Sequence, residues 1–228
     1  MGGAFRGFGP ELYEFFEGLT ANNDKAWFTE HKQQYETQVR EPLEALFSDL
    51  EPAFGEAKLF RIHRDVRFSK VKTPYKTAQA GLIHLPGGST RYMQVNADGV
   101  MFGAGVPHMD PGQVARYRAA VAGDAGEQLA SAIATLTRAK YVVGTLGPDG
   151  ITPEGELKRV PRDYPPDHPR GDLLRCKSLI AAISFDRPAW LGSPRAVTEV
   201  AKRWTAMQPV ISWLDTHVGP AEPRTRAR

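Results

Sequence analysis

The chain of 228 residues predicts an α+β fold: a single domain over 1–218 whose mostly antiparallel sheet packs with N-terminal and C-terminal helices. Three observations carry that expectation. Apolar residues recur at helical spacing up to Gly55 and again after Ser193. Between them the centre alternates apolar and polar at period two, with a turn signal at Asp98-Gly99. No break in composition marks a second domain.

The elements follow in order. Pro10 opens a short helix with Leu12, Phe15, Phe16 and Leu19 on one side. Asn23 reads as the N-cap of a longer amphipathic segment carrying Trp27, Phe28, His31, Tyr35 and Val39. Pro42 ends or kinks it, Leu43, Leu46, Phe47 and Leu50 continue the pattern, and Gly55 closes the region. Phe60, Ile62, Val66 and Phe68 then alternate with polar residues, as in one or two half-buried strands. Further strands are expected over 81–85, 91–97 and 99–104, the last two joined by a type I′ turn in which Asp98 and Gly99 both take positive φ.

Asp110-Pro111 supplies N-cap and first residue of a helix to about Ala122. A second helix from Asp124 to near Arg138 buries Leu129, Ile133 and Leu136, and Tyr141, Val142 and Val143 suggest one more strand. Prolines between Gly147 and Asp172 forbid regular structure, leaving a long loop. Ser193-Pro194 starts one final amphipathic helix carrying Val197, Val200, Ala201, Trp204, Met207, Ile211 and Leu214, with Gly219 at its end. Residues 219–228 read as a disordered basic tail.

Composition excludes several classes of function. At 41% hydrophobic and 24% charged the chain can build a core and is not a disordered protein. The single cysteine, Cys176, leaves no internal disulfide and fits a reducing compartment. Within the apolar-basic run LLRCKSLI it reads as core rather than as a nucleophile. No stretch approaches the roughly 20 apolar residues of a spanning helix, and the N-terminus lacks a signal-peptide core, so a cytoplasmic protein without membrane contact is expected. The histidines at 31, 63, 84, 108, 168 and 217 show no ligand spacing, so neither metal nor cofactor is expected. Gly103-Ala104-Gly105 lacks the third glycine of a dinucleotide fingerprint and reads as a bend.

Charge is concentrated in one place. Residues 61–77, RIHRDVRFSKVKTPYKT, hold Arg61, Arg64, Arg67, Lys70, Lys72 and Lys76 against Asp65 alone, a local +5. The whole chain carries +3, which leaves −2 for everything else. In an extended segment Arg61, His63, Asp65 and Arg67 share the outward face, and Asp65 stays ionised between cations. Arg64 falls on the apolar face, where a guanidinium needs a buried carboxylate, a backbone carbonyl or a bulge that turns it outward. Downstream, Pro74 stiffens a turn rich in lysine and hydroxyl donors, with Tyr75 beside it. A second basic set (Lys158, Arg159, Arg162, Arg170, Arg175 and Lys177, with Tyr164 and His168) lies in the proline-rich loop and is expected to fold over the first, with Lys158 closing a common pocket.

The string RIHRDVRFSKVKTPYKT, with NNDKAWFTEHKQQYE upstream and LKRVPRDYPPDHP downstream, resembles the bacterial and fungal family called domain of unknown function 2461 across roughly residues 5–218. The resemblance implies one α+β domain and brings no established activity. The matching positions include Asn23, Trp27, Phe28, Tyr35, Arg61, Arg64, Asp65, Arg67, Lys70, Lys72, Tyr75, Lys76, Lys158 and His168. The family's pattern has an aspartate before KTPYK and a glycine before the loop tyrosine, where this chain has Val71 and Asp163.

The leading expectation is therefore a pocket for a small phosphate- or carboxylate-bearing ligand, formed by Arg61, Arg64, Arg67, Lys70, Lys72, Tyr75, Lys76 and Lys158. One alternative is an enzyme using the same cleft, with Asp65 or His63 as acid/base and Tyr75 as donor. Others are a nucleic-acid backbone as partner, or a structural role in which the cations pair with helix carboxylates.

Overall fold

The structure, a computed structural model, describes residues 4–65, 67, 72–147 and 150–222. Val66, Phe68, Lys70 and most of the basic tail lie outside the described residues. The architecture is α+β. Seven strands form one sheet in the order β1-β2-β3-β4-β7-β5-β6: β1 (Ala57–Leu59), β2 (Ala78–His84), β3 (Thr90–Asn96), β4 (Gly99–Val106), β5 (Val142–Gly147), β6 (Gly150–Thr152) and β7 (Leu179–Asp186). The pairs β1–β2, β5–β6 and β5–β7 are antiparallel. No helix among the described residues is long and apolar enough to cross a membrane.

The chain divides into two compact units, one of Met1–Ile83, Tyr92–Phe102 and Ser184–Arg203, the other of His84–Arg91, Gly103–Ile183 and Trp204–Arg228. In the first, α1 (Glu11–Ala21) buries Leu12, Phe15, Phe16 and Leu19, as its spacing predicts. The next segment is not one helix. Asp24, rather than Asn23, caps α2 (Lys25–Glu30), its side chain accepting from the Trp27 N–H. After the short α3 (Lys32–Gln34) the chain widens into a π-helical turn, Tyr35–Arg40, before α4 (Glu41–Phe54). Pro42 sits in the first turn of α4, directly after the π-helical turn, and neither ends nor breaks the helical run. Gly55 ends α4 at φ 92°.

The hairpin β3–β4 is present, but its turn is not type I′. Gly99 alone has positive φ (142°), and Asp98 does not. The Asn96 side chain instead accepts from the N–H groups of Asp98 and Gly99 and holds Ala97-Asp98 as the loop. Glycine is required at 99 for a second reason: a Cβ there would come 2.2 Å from the Phe185 carbonyl.

In the second unit α5 (Pro111–Ala122) begins in a full capping box between Asp110 and Gln113. In α6 (Ala125–Arg138) Leu129 and Leu136 are buried, while Ile133 is only half-buried. The proline-rich stretch is less irregular than expected, because it begins with β6 and ends with the short helix α7 (Gly171–Leu174). The expected last helix is two, α8 (Arg195–Ala206) and α9 (Gln208–His217), broken at Met207 because Pro209 occupies the first turn of α9.

Candidate functional site

The basic segment folds back on itself. His63 and Tyr75 form an isolated antiparallel bridge. It is flanked by bonds from Arg64 N–H to the Pro74 carbonyl (2.8 Å) and from Lys76 N–H to the Ile62 carbonyl (2.8 Å). This corrects the expected strand over 60–68. Pro74 has no N–H to continue a ladder, so among the described residues a single bridge forms here and no strand, while Val66 and Phe68 of the expected strand lie outside the described residues. The alternation of sides nevertheless survives. Arg61, His63 and Asp65 are exposed, Ile62 is buried and Arg64 is half-buried.

Residues far away in sequence hold this segment. The Asn23 side chain pairs with Tyr75 like a strand edge, accepting from its N–H (3.0 Å) and donating to its carbonyl (3.1 Å). Phe28 stacks on the Tyr75 ring at 4.1 Å. From the π-helical turn, the Tyr35 hydroxyl donates to buried Gln79 (2.8 Å), whose amide donates to the Phe60 carbonyl (2.7 Å). Burial pushes the Tyr35 hydroxyl up to about 12, so it remains a neutral donor. Asn23, Tyr35 and Gln79 therefore position the segment. Their role was hidden in the sequence because the partners lie 44 and 52 residues apart.

Within this frame the predicted residues separate. Arg64 and Lys76 line one cavity of about 350 Å³ with Phe60, Thr77, Tyr92 and Gln94. The Arg64 Nε is buried and has no hydrogen-bond partner among the described residues. Among the described residues neither a carboxylate nor a carbonyl meets that nitrogen. Lys76 Nζ donates to the Arg61 carbonyl (2.9 Å) and lies 5.4 Å from the Phe60 ring centre, with donors to spare. The Tyr92 hydroxyl donates to Gln94 Oε1 (2.7 Å), which leaves the Gln94 amide N–H groups as donors. The cavity thus combines two cations, an amide donor and two aromatic walls.

The other candidates are placed differently. Arg67 binds Asp65 in a fork, Nε to Oδ1 at 3.0 Å and a terminal nitrogen to Oδ2 at 2.7 Å. Both are exposed, and the pairing holds the Asp65 carboxyl below its ordinary range. Arg61 and Lys72 are exposed, and Lys70 lies outside the described residues. Tyr75 is buried at 5% exposure among Phe28 and His63, its hydroxyl raised by burial. Lys158 lines a cavity built wholly from residues 158–175. Arg170, from the same basic set, is bound to the carbonyls of Val121, Ala122 and Gly123 at the end of α5. Cys176 is fully buried, and burial pushes its thiol up to about 11, which removes it as a nucleophile at neutral pH.

A family model described as "Conserved hypothetical protein (DUF2461)" matches residues 11–213, and the chain belongs to that family. No curated protein and no solved structure matches the chain.

Proposed function

We propose that the protein binds a small anionic ligand, bearing phosphate or carboxylate, in the cavity around Arg64 and Lys76. The observation that carries this reading is the buried Arg64 Nε without a partner, on a side chain that lines a cavity. An unmet buried donor costs about 1–3 kcal/mol, and a ligand oxygen is the group that recovers it. The Lys76 ammonium and the Gln94 amide supply further donors, and Phe60 and Tyr92 supply apolar walls for the rest of the ligand.

A volume of about 350 Å³ suits a small molecule rather than a polymer track. Asp65 does not line this cavity and is occupied by Arg67, so acid/base chemistry there has no support beyond the sequence. The test is the melting temperature of the full chain with inorganic phosphate, citrate, a mononucleotide and an oligonucleotide. A saturable rise with one or more of the small anions is expected. No shift with any of them, or a shift with the oligonucleotide alone, would overturn the proposal.

A further inference from the structure

A second cavity, independent of the first, is formed by the proline-rich segment alone. It has a volume of about 760 Å³ and is lined by residues between Lys158 and Arg175. Four cations line it, Lys158, Arg159, Arg162 and Arg175, against Asp167 and Asp172. Asp172 is committed to Arg175, with Oδ1 at 2.6 Å from a terminal nitrogen. The Arg175 Nε is buried and has no partner among the described residues.

The walls are held in place rather than loose. The N–H groups of Glu156 and Leu157 donate to the Arg175 carbonyl, which fixes Lys158 beside the root of that arginine. Arg170 anchors the segment to the end of α5, and turns at Pro161–Tyr164 and Pro165–His168 close it internally. The His168 Nδ1 accepts from the Arg170 N–H (3.0 Å), which leaves the proton of a neutral ring on Nε2 as a donor. Tyr164 and Val160 add an aromatic face and an apolar wall.

We propose that this cavity is a second ligand site, for an organic polyphosphate of nucleotide size. The four cations against two carboxylates leave the lining a net +2, and Lys158, Arg159 and Arg162 together suit more than one phosphate group. The volume exceeds that of inorganic phosphate and leaves room for an organic part against Tyr164.

The experiment is isothermal titration of the full-length Arg64→Met variant, in which the first cavity is disabled, with ADP, pyrophosphate and inorganic phosphate. Saturable ADP binding that pyrophosphate competes for is expected. The Arg159→Ala/Arg162→Ala double change, confined to exposed side chains, is expected to weaken it at least tenfold. Arg175→Lys, which keeps the charge and removes Nε, weakens it as well; if that variant fails to fold, the exposed double variant decides. Absence of saturable ADP binding, or binding that the double change leaves within threefold, would overturn the proposal. Either result is separable from failure of the Arg64 site, which is read with the small anions in the Arg159→Ala/Arg162→Ala variant, where the second cavity is disabled and the first is intact.

Discussion

Arg64 and Arg170 are both half-buried arginines in basic stretches, and the structure gives them opposite roles. Arg170 spends its donors on three carbonyls at the end of a helix. Arg64 leaves a buried Nε unmet beside a cavity. The sequence distinguishes them only in part: period-two alternation places Arg64 on the inward side, but nothing near Arg170 names its partners, 47 to 49 residues away. Two expectations belong at this scale. Asn23→Ala removes both bonds to the Tyr75 backbone and should destabilise the protein by about 1–2 kcal/mol in urea unfolding, while weakening anion binding at Arg64. Cys176 should resist a thiol reagent at pH 8 in the folded protein and react fully in denaturant, because its buried thiol stays protonated.

Among the elements, legibility followed the range of the forces involved. The helices α1, α5 and α6 were readable because apolar spacing, and in α5 the capping box of Asp110 and Gln113, lie within one turn or two. The hairpin was readable for the same reason, although its turn is closed by the Asn96 side chain rather than by two residues at positive φ. Pro209 was a visible signal for the break between α8 and α9, and the strong apolar periodicity across it obscured that signal. The π-helical turn at Tyr35–Arg40 had no local signature. Its buried anchor, the bond from Tyr35 to Gln79, spans 44 residues. Arg170→Ala tests the element scale directly. Loss of three charge-assisted bonds to the α5 terminus should cost about 2 kcal/mol by urea unfolding. A change below about 0.5 kcal/mol would mean that the helix end is satisfied without it.

For the whole molecule, three tyrosines with hydroxyls withdrawn from water also set a pH limit. Burial pushes the hydroxyls of Tyr35 and Tyr92 up to about 12 and that of Tyr117 well above its ordinary value of 10. The fold thus favours their neutral forms, so this stability is fully present below pH 10 and is lost as pH rises from there through 12. Tyrosinate absorbance from these three should rise together with loss of far-ultraviolet dichroism. Ionisation near pH 10 in a protein that keeps its dichroism would contradict their burial.

The concentration of charge at 61–77 contributes only part of itself to the cavity proposed as the ligand site. Of its five described cations Arg61, Arg67 and Lys72 are exposed, and the cavity is lined by the inward Arg64 together with Lys76. The most direct measurement is therefore made on Arg64→Met, which keeps an unbranched side chain as far as the position of Nε and removes the donors. Without ligand the variant should be at least as stable as the parent, because an unmet buried donor is gone. Its affinity for the small anion that raises the melting temperature of the parent should fall at least about tenfold. A destabilised Arg64→Met variant that binds that anion as tightly as the parent would contradict the account.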